Sequence, residues 1–210
     1  MADINFHPFK NRGAFGGLFN VESRGLMQGD AQDDPAIRLQ LCSGRLDSKI
    51  TEPVWGGVGV MECIAPAKDS VNGAVIKQAT KDACNAFTVF NQAFHGITTS
   101  DNPVPLYLAG GFVHYYRVGS GARIPLPVSA EVVALADGNN TVAASGFVWD
   151  LTKNMVDVYS GSPGANPKVD IKLLMVSVDG NLTVKKEDGG NVVWEIGKPC
   201  GLFLILGDIN

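Results

Sequence analysis

The side chains able to do acid–base or covalent chemistry are few in this sequence and widely spaced. The histidines are His7, His95 and His114. His114 lies between Val113 and Tyr115 in a strand-like run, and His95 precedes Gly96 in a turn-like one. A catalytic serine or cysteine needs such a base beside it, oriented by a third group. Gly119-Ser120-Gly121 is too short for the Gly-x-Ser-x-Gly elbow, so it reads as a turn. The cysteines, Cys42, Cys63, Cys84 and Cys200, form no Cys-x-x-Cys pair and have no histidine within a few positions. Zinc needs close ligand pairs, so no metal site is expected. Free thiols are the expectation, with two disulfides as the alternative. Asp33, Asp34, Asp47 and Glu52 cluster loosely, but a glycosidase needs two carboxyls about 5–10 Å apart across a sugar. Nothing in the spacing enforces that separation. The sequence thus predicts no enzyme activity, no catalytic residue, no metal and no cofactor.

Two glycine-framed segments stand out instead. Trp55-Gly56-Gly57-Val58-Gly59 lacks the third glycine of a dinucleotide site and the lysine of a phosphate loop, so it reads as a loop entering a strand. Tyr116-Arg117-Val118-Gly119-Ser120-Gly121-Ala122-Arg123 sets a cation on either side of a tight turn. One reading is an ordinary hairpin with two solvated arginines. The other has Arg117 and Arg123 pairing with carboxylates of a neighbouring subunit. Asn139-Asn140-Thr141 and Asn181-Leu182-Thr183 match the glycosylation pattern, but without a secretion signal they read as turn residues.

The elements that must carry these residues are mainly strands. Val58 to Ile64, Val75 to Thr80, Phe87 to Phe90 and Phe112 to Tyr116 are short apolar or alternating runs bounded by glycine or polar residues. Val132 to Leu135, Ala143 to Trp149, Val169 to Val178, Asn181 to Val184, Val192 to Ile196 and Gly201 to Leu206 continue the series. Ile37, Leu39 and Leu41 alternate as in a strand, although Asp34-Pro35 would equally open a helix. Asp69 to Asn85 is rich in Ala and Lys, but its period is spoiled, and it reads as strand and loop. Asp137-Gly138, Asp179-Gly180 and Asp188-Gly189 supply positive φ for tight turns. The expected fold is all-β, an antiparallel sandwich or barrel, jelly-roll-like.

A chain of 210 residues suits a single β-rich domain over residues 31–210, preceded by an extended arm over residues 1–30. Phe6, Phe9, Phe15 and Phe19 are spread along that arm as aromatic anchors. Net charge is −4 with no basic stripe, which argues against nucleic acid as a partner. Lys185-Lys186 is followed at once by Glu187-Asp188 and reads as a solvated turn. Charged residues make up only 18%, leaving neutral surface for packing against neighbours. The start lacks the basic and apolar parts of a signal peptide, and the longest apolar run falls far short of the ~20 residues a membrane helix requires. A cytoplasmic origin without a membrane partner is the expectation.

In order, Asp33-Asp34-Pro35-Ala36, Trp55-Gly56-Gly57-Val58-Gly59 and Tyr116 to Arg123 resemble a family of tailed-bacteriophage minor capsid, or cement, proteins that decorate the head. Asn102-Pro103-Val104-Pro105 is similar to the family's loop before the third segment. The resemblance covers roughly residues 16 to 130 and, more loosely, Pro199 to Leu206. It implies a non-enzymatic virion protein, made in the bacterial host cytoplasm and bound outside or between major capsid subunits. Its partners would be the major capsid protein and copies of itself, as dimer or trimer. Phe6, Phe9, Phe15, Phe19, Trp55, Arg117 and Arg123 are then the candidate interface residues. The competing class is a receptor- or glycan-binding β-module of a tail or baseplate, for which Trp55, Trp149 and Trp194 are the exposed aromatics to look for.

Overall fold

A computed structural model describes residues 25–32, 35–64, 74–90, 103–137, 146–161 and 164–205. The fold is all-β, in the barrel form. Five strands close into a ring in the order β1-β3-β2-β4-β5: β1 (Cys42–Leu46), β2 (Gly59–Ile64), β3 (Ala74–Gln78), β4 (Ala86–Val89) and β5 (Phe112–Arg117). Every ring pairing is antiparallel except β1 with β3. Residues paired across a ladder share a face. The registers therefore gather Gly44, Leu46, Val60, Glu62, Ile76, Ala86, Thr88, Val113, Tyr115 and Arg117 on one face. That face is the inside. A Cβ on Gly44 would lie 2.8 Å from Ile76 and 3.2 Å from Tyr115.

The rest of the chain builds three small sheets against this barrel. β6 (Arg123–Pro127), β10 (Lys172–Ser177) and β13 (Cys200–Leu204) form one, in the order β10-β13-β6. β7 (Phe147–Asp150), β8 (Met155–Val158) and β9 (Lys168–Val169) form the second, in the order β8-β7-β9. β11 (Leu182–Lys186) and β12 (Val192–Ile196) make a hairpin. Edge-on aromatic pairs tie the layers together. Phe87 of the barrel meets Trp149 of β7 at 5.5 Å, and Phe147 of β7 meets Phe203 of β13 at 5.4 Å. One buried core runs from Leu46 to Ile205.

Two expected strands are helices. Pro35–Arg38 is α1, a single turn with proline opening it. The alternation of Ile37, Leu39 and Leu41 hides an i, i+4 pair: Ile37 and Leu41 pack on the core, whereas Leu39 is 88% exposed. Ala130–Asp137 is α2, not a strand. The Ser129 hydroxyl accepts from the Val132 N–H, and the Ser129 carbonyl accepts from Val133, so a local cap overrides the valines' β preference. The expected strand from Val169 to Val178 is broken at Asp170-Ile171 into β9 and β10, which belong to different sheets. In the β11–β12 turn the positive φ falls on Gly190 (86°), not on the Asp188-Gly189 pair.

The segment after Gly25 is woven into the body, so the last residues of the expected arm belong to the domain. Met27 bridges Leu182 in parallel, Gly29 N–H donates to the Pro125 carbonyl, and Gln32 N–H to that of Arg123. Gln28 is 1% exposed. Its amide nitrogen donates to the carbonyls of Gly56 and Gly57, each at 3.2 Å, and its oxygen accepts from Val184 N–H at 2.9 Å. One side chain thereby fastens the barrel's glycine loop to the C-terminal hairpin. Asn181, also buried, accepts from Leu26 N–H and donates to the carbonyls of Ser177 and Lys198.

Candidate functional site

Two places gather polar side chains from distant parts of the sequence. The first is the mouth of the barrel. Glu62 projects from β2 on the inner face and receives two bonds from Arg117, from Nε at 2.5 Å and from Nη2 at 2.7 Å. Tyr115, two residues earlier on β5, donates its hydroxyl to Glu62 Oε1 at 2.7 Å. The Arg117 bonds hold the Glu62 carboxyl below its ordinary range against the opposing effect of burial. The same bonds push the Arg117 guanidinium up. Burial, then the bond to Glu62, pushes the Tyr115 phenol up. Burial also raises the Cys42 thiol, with Arg117 opposing. At neutral pH the cluster is therefore a carboxylate, a guanidinium, a phenol and a thiol. The raised pKa values keep the Tyr115 phenol and the Cys42 thiol of this cluster protonated at that pH.

The second place is a groove of about 370 Å³ between the barrel, the β7–β8 turn and the end of β11. Val54, Trp55, Val60 and Trp149 form its floor, all no more than 4% exposed. Gly59 is required there, since a Cβ would lie 2.7 Å from Cys84 Sγ and 2.9 Å from the Trp149 ring. The rim carries Glu52, Gln78, Thr152, Asn154 and Lys186. Lys186 forms an ion pair with Glu52 across the groove, joining positions 134 apart in sequence. Asn154 holds a left-handed backbone (φ 52°), a conformation asparagine tolerates better than most residues. Asp150 shapes the turn by accepting from Thr152 and Lys153 N–H at 2.8 and 2.9 Å. The Trp55 indole N–H is buried with no hydrogen-bond partner among the described residues. Leaving such a donor unmade costs roughly 1–3 kcal/mol.

The structure sorts the residues expected from sequence. Phe6, Phe9, Phe15 and Phe19 lie outside the described residues, as do Asp33 and Asp34. Trp55 is 4% exposed, so it is a core residue and not an anchor presented to a neighbour. The reason is the glycine pair after it. A Cβ on Gly56 would lie 2.4 Å from the Phe90 ring and one on Gly57 2.6 Å from Gln28, so both side chains close over the loop. Trp149 is fully buried and Trp194 is partly buried against Phe90, so neither is the exposed aromatic a glycan reader would present.

Arg117 and Arg123 are not brought together. Arg117 ends β5 in the barrel, while Arg123 begins β6 in another sheet and is exposed. The turn between them is therefore not a hairpin. Gly119 (φ 101°) and Gly121 (φ 75°) let it step from one sheet to the next. The Arg117 guanidinium is committed to Glu62 of its own chain.

Sequence reasoning missed Glu62, Gln78, Thr152, Asn154 and Lys186. Lys186 is the last residue of β11 and not part of a solvated turn. Only Glu62 left a trace, as an acidic residue at an inward position of an otherwise apolar strand. All four cysteines are free thiols; Cys84 and Cys200 are buried. Asn181 and Thr183 are 0% and 3% exposed, which leaves no room for a glycan there. No group of three or more metal-ligating side chains occurs among the described residues. No protein-family model matches the chain, and no curated protein or solved structure matches it either.

Proposed function

We propose that this is a non-enzymatic structural protein of a tailed-phage virion, which binds on or between major capsid subunits and stabilises the head. The ordered motifs of the sequence point that way, and one structural observation supports it. β10 ends its sheet, and no strand among the described residues pairs with its outer side. Leu174 and Met175 on that strand are 42% and 49% exposed, and Val178 just beyond it is 50% exposed. A β-bulge between Leu173 and Met175 interrupts the pairing with β13 at Leu174. Ile196, 71% exposed, sits at the nearby end of β12, beside Gly197, whose N–H donates to the Asn181 carbonyl.

An unpaired edge carrying apolar side chains is a template for another chain. The far edge of the same sheet is blunted. Residues 29–32 run along β6 and bond to Pro125 and Arg123. The occupant of the open edge, on this reading, is a capsid subunit. Gly25 lies close by, where a Cβ would be 1.9 Å from the Gly180 carbonyl.

Mass spectrometry of isolated heads against isolated tails tests the assignment. A copy number comparable with the major capsid protein, confined to heads, is expected. A few copies per particle, or presence only in tails, would refute it. Met175→Lys should lower occupancy on heads without lowering the thermal midpoint, since the side chain is half exposed. Deleting residues 2–19 should weaken binding to expanded capsids. Unchanged affinity would remove the arm from the interface.

A further inference from the structure

The Asp–Gly pairs of the sequence sit in unlike surroundings. Asp137–Gly138 lies partly outside the described residues. Asp188–Gly189 forms the tip of the β11–β12 hairpin, where residues 185–191 are all exposed. A Cβ built on Gly189 or Gly190 meets nothing within 4 Å. Two bonds of 2.8 Å close the turn, from Glu187 N–H to the Asn191 carbonyl and from Gly190 N–H to the Glu187 carbonyl. The Gly189 N–H and the Asp188 carboxyl enter no hydrogen bond or ion pair among the described residues. We infer that Asp188 is a modification site: in the folded protein it converts to isoaspartate through a succinimide ring shared with Gly189. The conversion does not depend on the virion assignment.

The Gly189 nitrogen attacks the carboxyl carbon of the Asp188 side chain. A C–N bond forms, the carboxyl hydroxyl leaves with the amide proton as water, and a cyclic imide results. Water then adds to either ring carbonyl. Opening at the side-chain carbonyl regenerates aspartate. Opening at the main-chain carbonyl leaves the chain running through the side-chain carbon, as isoaspartate. One water is lost and one gained, with no oxidant or cofactor. Ring closure requires the Asp–Gly peptide plane to turn until its nitrogen faces the carboxyl carbon. At Asp188 only the two solvent-exposed turn bonds oppose that rotation, and such segments open locally at little cost. Glycine at the next position adds no Cβ to block the approach.

Asp179–Gly180 carries the same chemistry in a fixed frame. The Asp179 carbonyl accepts from the Ser177 hydroxyl at 3.1 Å. A Cβ on Gly25 would lie 1.9 Å from the Gly180 carbonyl oxygen, so two backbones meet there. Asn181, next in the chain, is buried and bonded to Leu26, Ser177 and Lys198. Turning the Asp179–Gly180 peptide would first have to undo this packing.

The test holds the purified protein near neutral pH in water enriched in heavy oxygen, both native and unfolded in urea, with samples taken over weeks. Trypsin cuts after Lys172, Lys185 and Lys186, which places Asp179 and Asp188 on separate peptides. Isoaspartate is scored by resistance to an aspartate-specific endoproteinase and by methylation with S-adenosylmethionine and an isoaspartyl carboxyl methyltransferase. In the native sample Asp188 should accumulate isoaspartate, labelled with heavy oxygen, at least about tenfold faster than Asp179. In urea the two should convert within about threefold of each other, since only the fold separates them. Gly189→Ala should slow conversion at Asp188 about tenfold by crowding the attacking nitrogen, and should keep the wild-type thermal midpoint because its Cβ meets no neighbour. No isoaspartate at Asp188 in the native protein would overturn the proposal. So would equal native rates at Asp179 and Asp188, a native ratio unchanged in urea, undiminished conversion in Gly189→Ala, or a product without heavy oxygen.

Discussion

Gln28 offers the sharpest test of how this body is held together. Its side chain is 1% exposed, and its three hydrogen bonds join the Gly56–Gly57 loop to β11. Gln28→Ala removes all three and leaves the Val184 N–H and two carbonyls short of a partner. At about 1 kcal/mol net per bond, with an added penalty for buried groups left unmade, the loss comes to about 3–4 kcal/mol. For a chain of this size each kcal/mol lowers the thermal midpoint by about 2–4 °C, so a fall of roughly 10 °C is expected. Gln28→Met separates bonding from packing. Methionine nearly fills the space but restores no hydrogen bond, so it should recover less than half of the loss. Urea denaturation followed by tryptophan emission measures both variants, with exposed Gln40→Ala as a control expected within about 0.5 kcal/mol of wild type. If Gln28→Met matches wild type within about 0.5 kcal/mol, or Gln28→Ala costs no more than the control, the hydrogen-bond argument is wrong.

Other outcomes follow from the same geometry. Gly59→Ala should destabilise by about 1–3 kcal/mol, because its Cβ meets Cys84 and the Trp149 ring, whereas Gly189→Ala meets nothing within 4 Å and should be near neutral in the same denaturation assay. Glu62 has a folded-state pKa below its ordinary value of 4.5, so its stabilisation is present above that pH and lost as pH falls through the folded value. Glu62→Gln should therefore lower stability at pH 7, by about 1–2 kcal/mol after allowing for the solvent-exposed guanidinium, and flatten the acid limb of stability against pH. Thiol titration of the native protein should label Cys42 and Cys63 first. Cys84, whose pKa burial pushes up to about 12, and the fully buried Cys200 should react only on unfolding. Early labelling of either would contradict the core described here.

Much of the fold was legible because strand signals are local. Phe112 to Tyr116 or Val192 to Ile196 announces a strand within a handful of residues, and β5 and β12 lie where those runs fall. The glycines of Trp55 to Gly59 likewise marked a close approach of backbone before its partner was known. Local signals failed where two periods overlapped. Three apolar residues at Ile37, Leu39 and Leu41 fit a strand, and only packing shows that Ile37 and Leu41 share a face without Leu39. Val132 and Val133 favoured a strand until the Ser129 cap and burial of Val132 decided for a helix. The candidate sites were hidden more completely. Glu62 meets Arg117 across 55 positions, Glu52 meets Lys186 across 134, and Gln28 meets Val184 across 156. No spacing encodes such encounters. They exist only after the barrel closes and the C-terminal sheets pack on it, since ladder register and layer contact, and not chain proximity, bring those side chains within bonding distance.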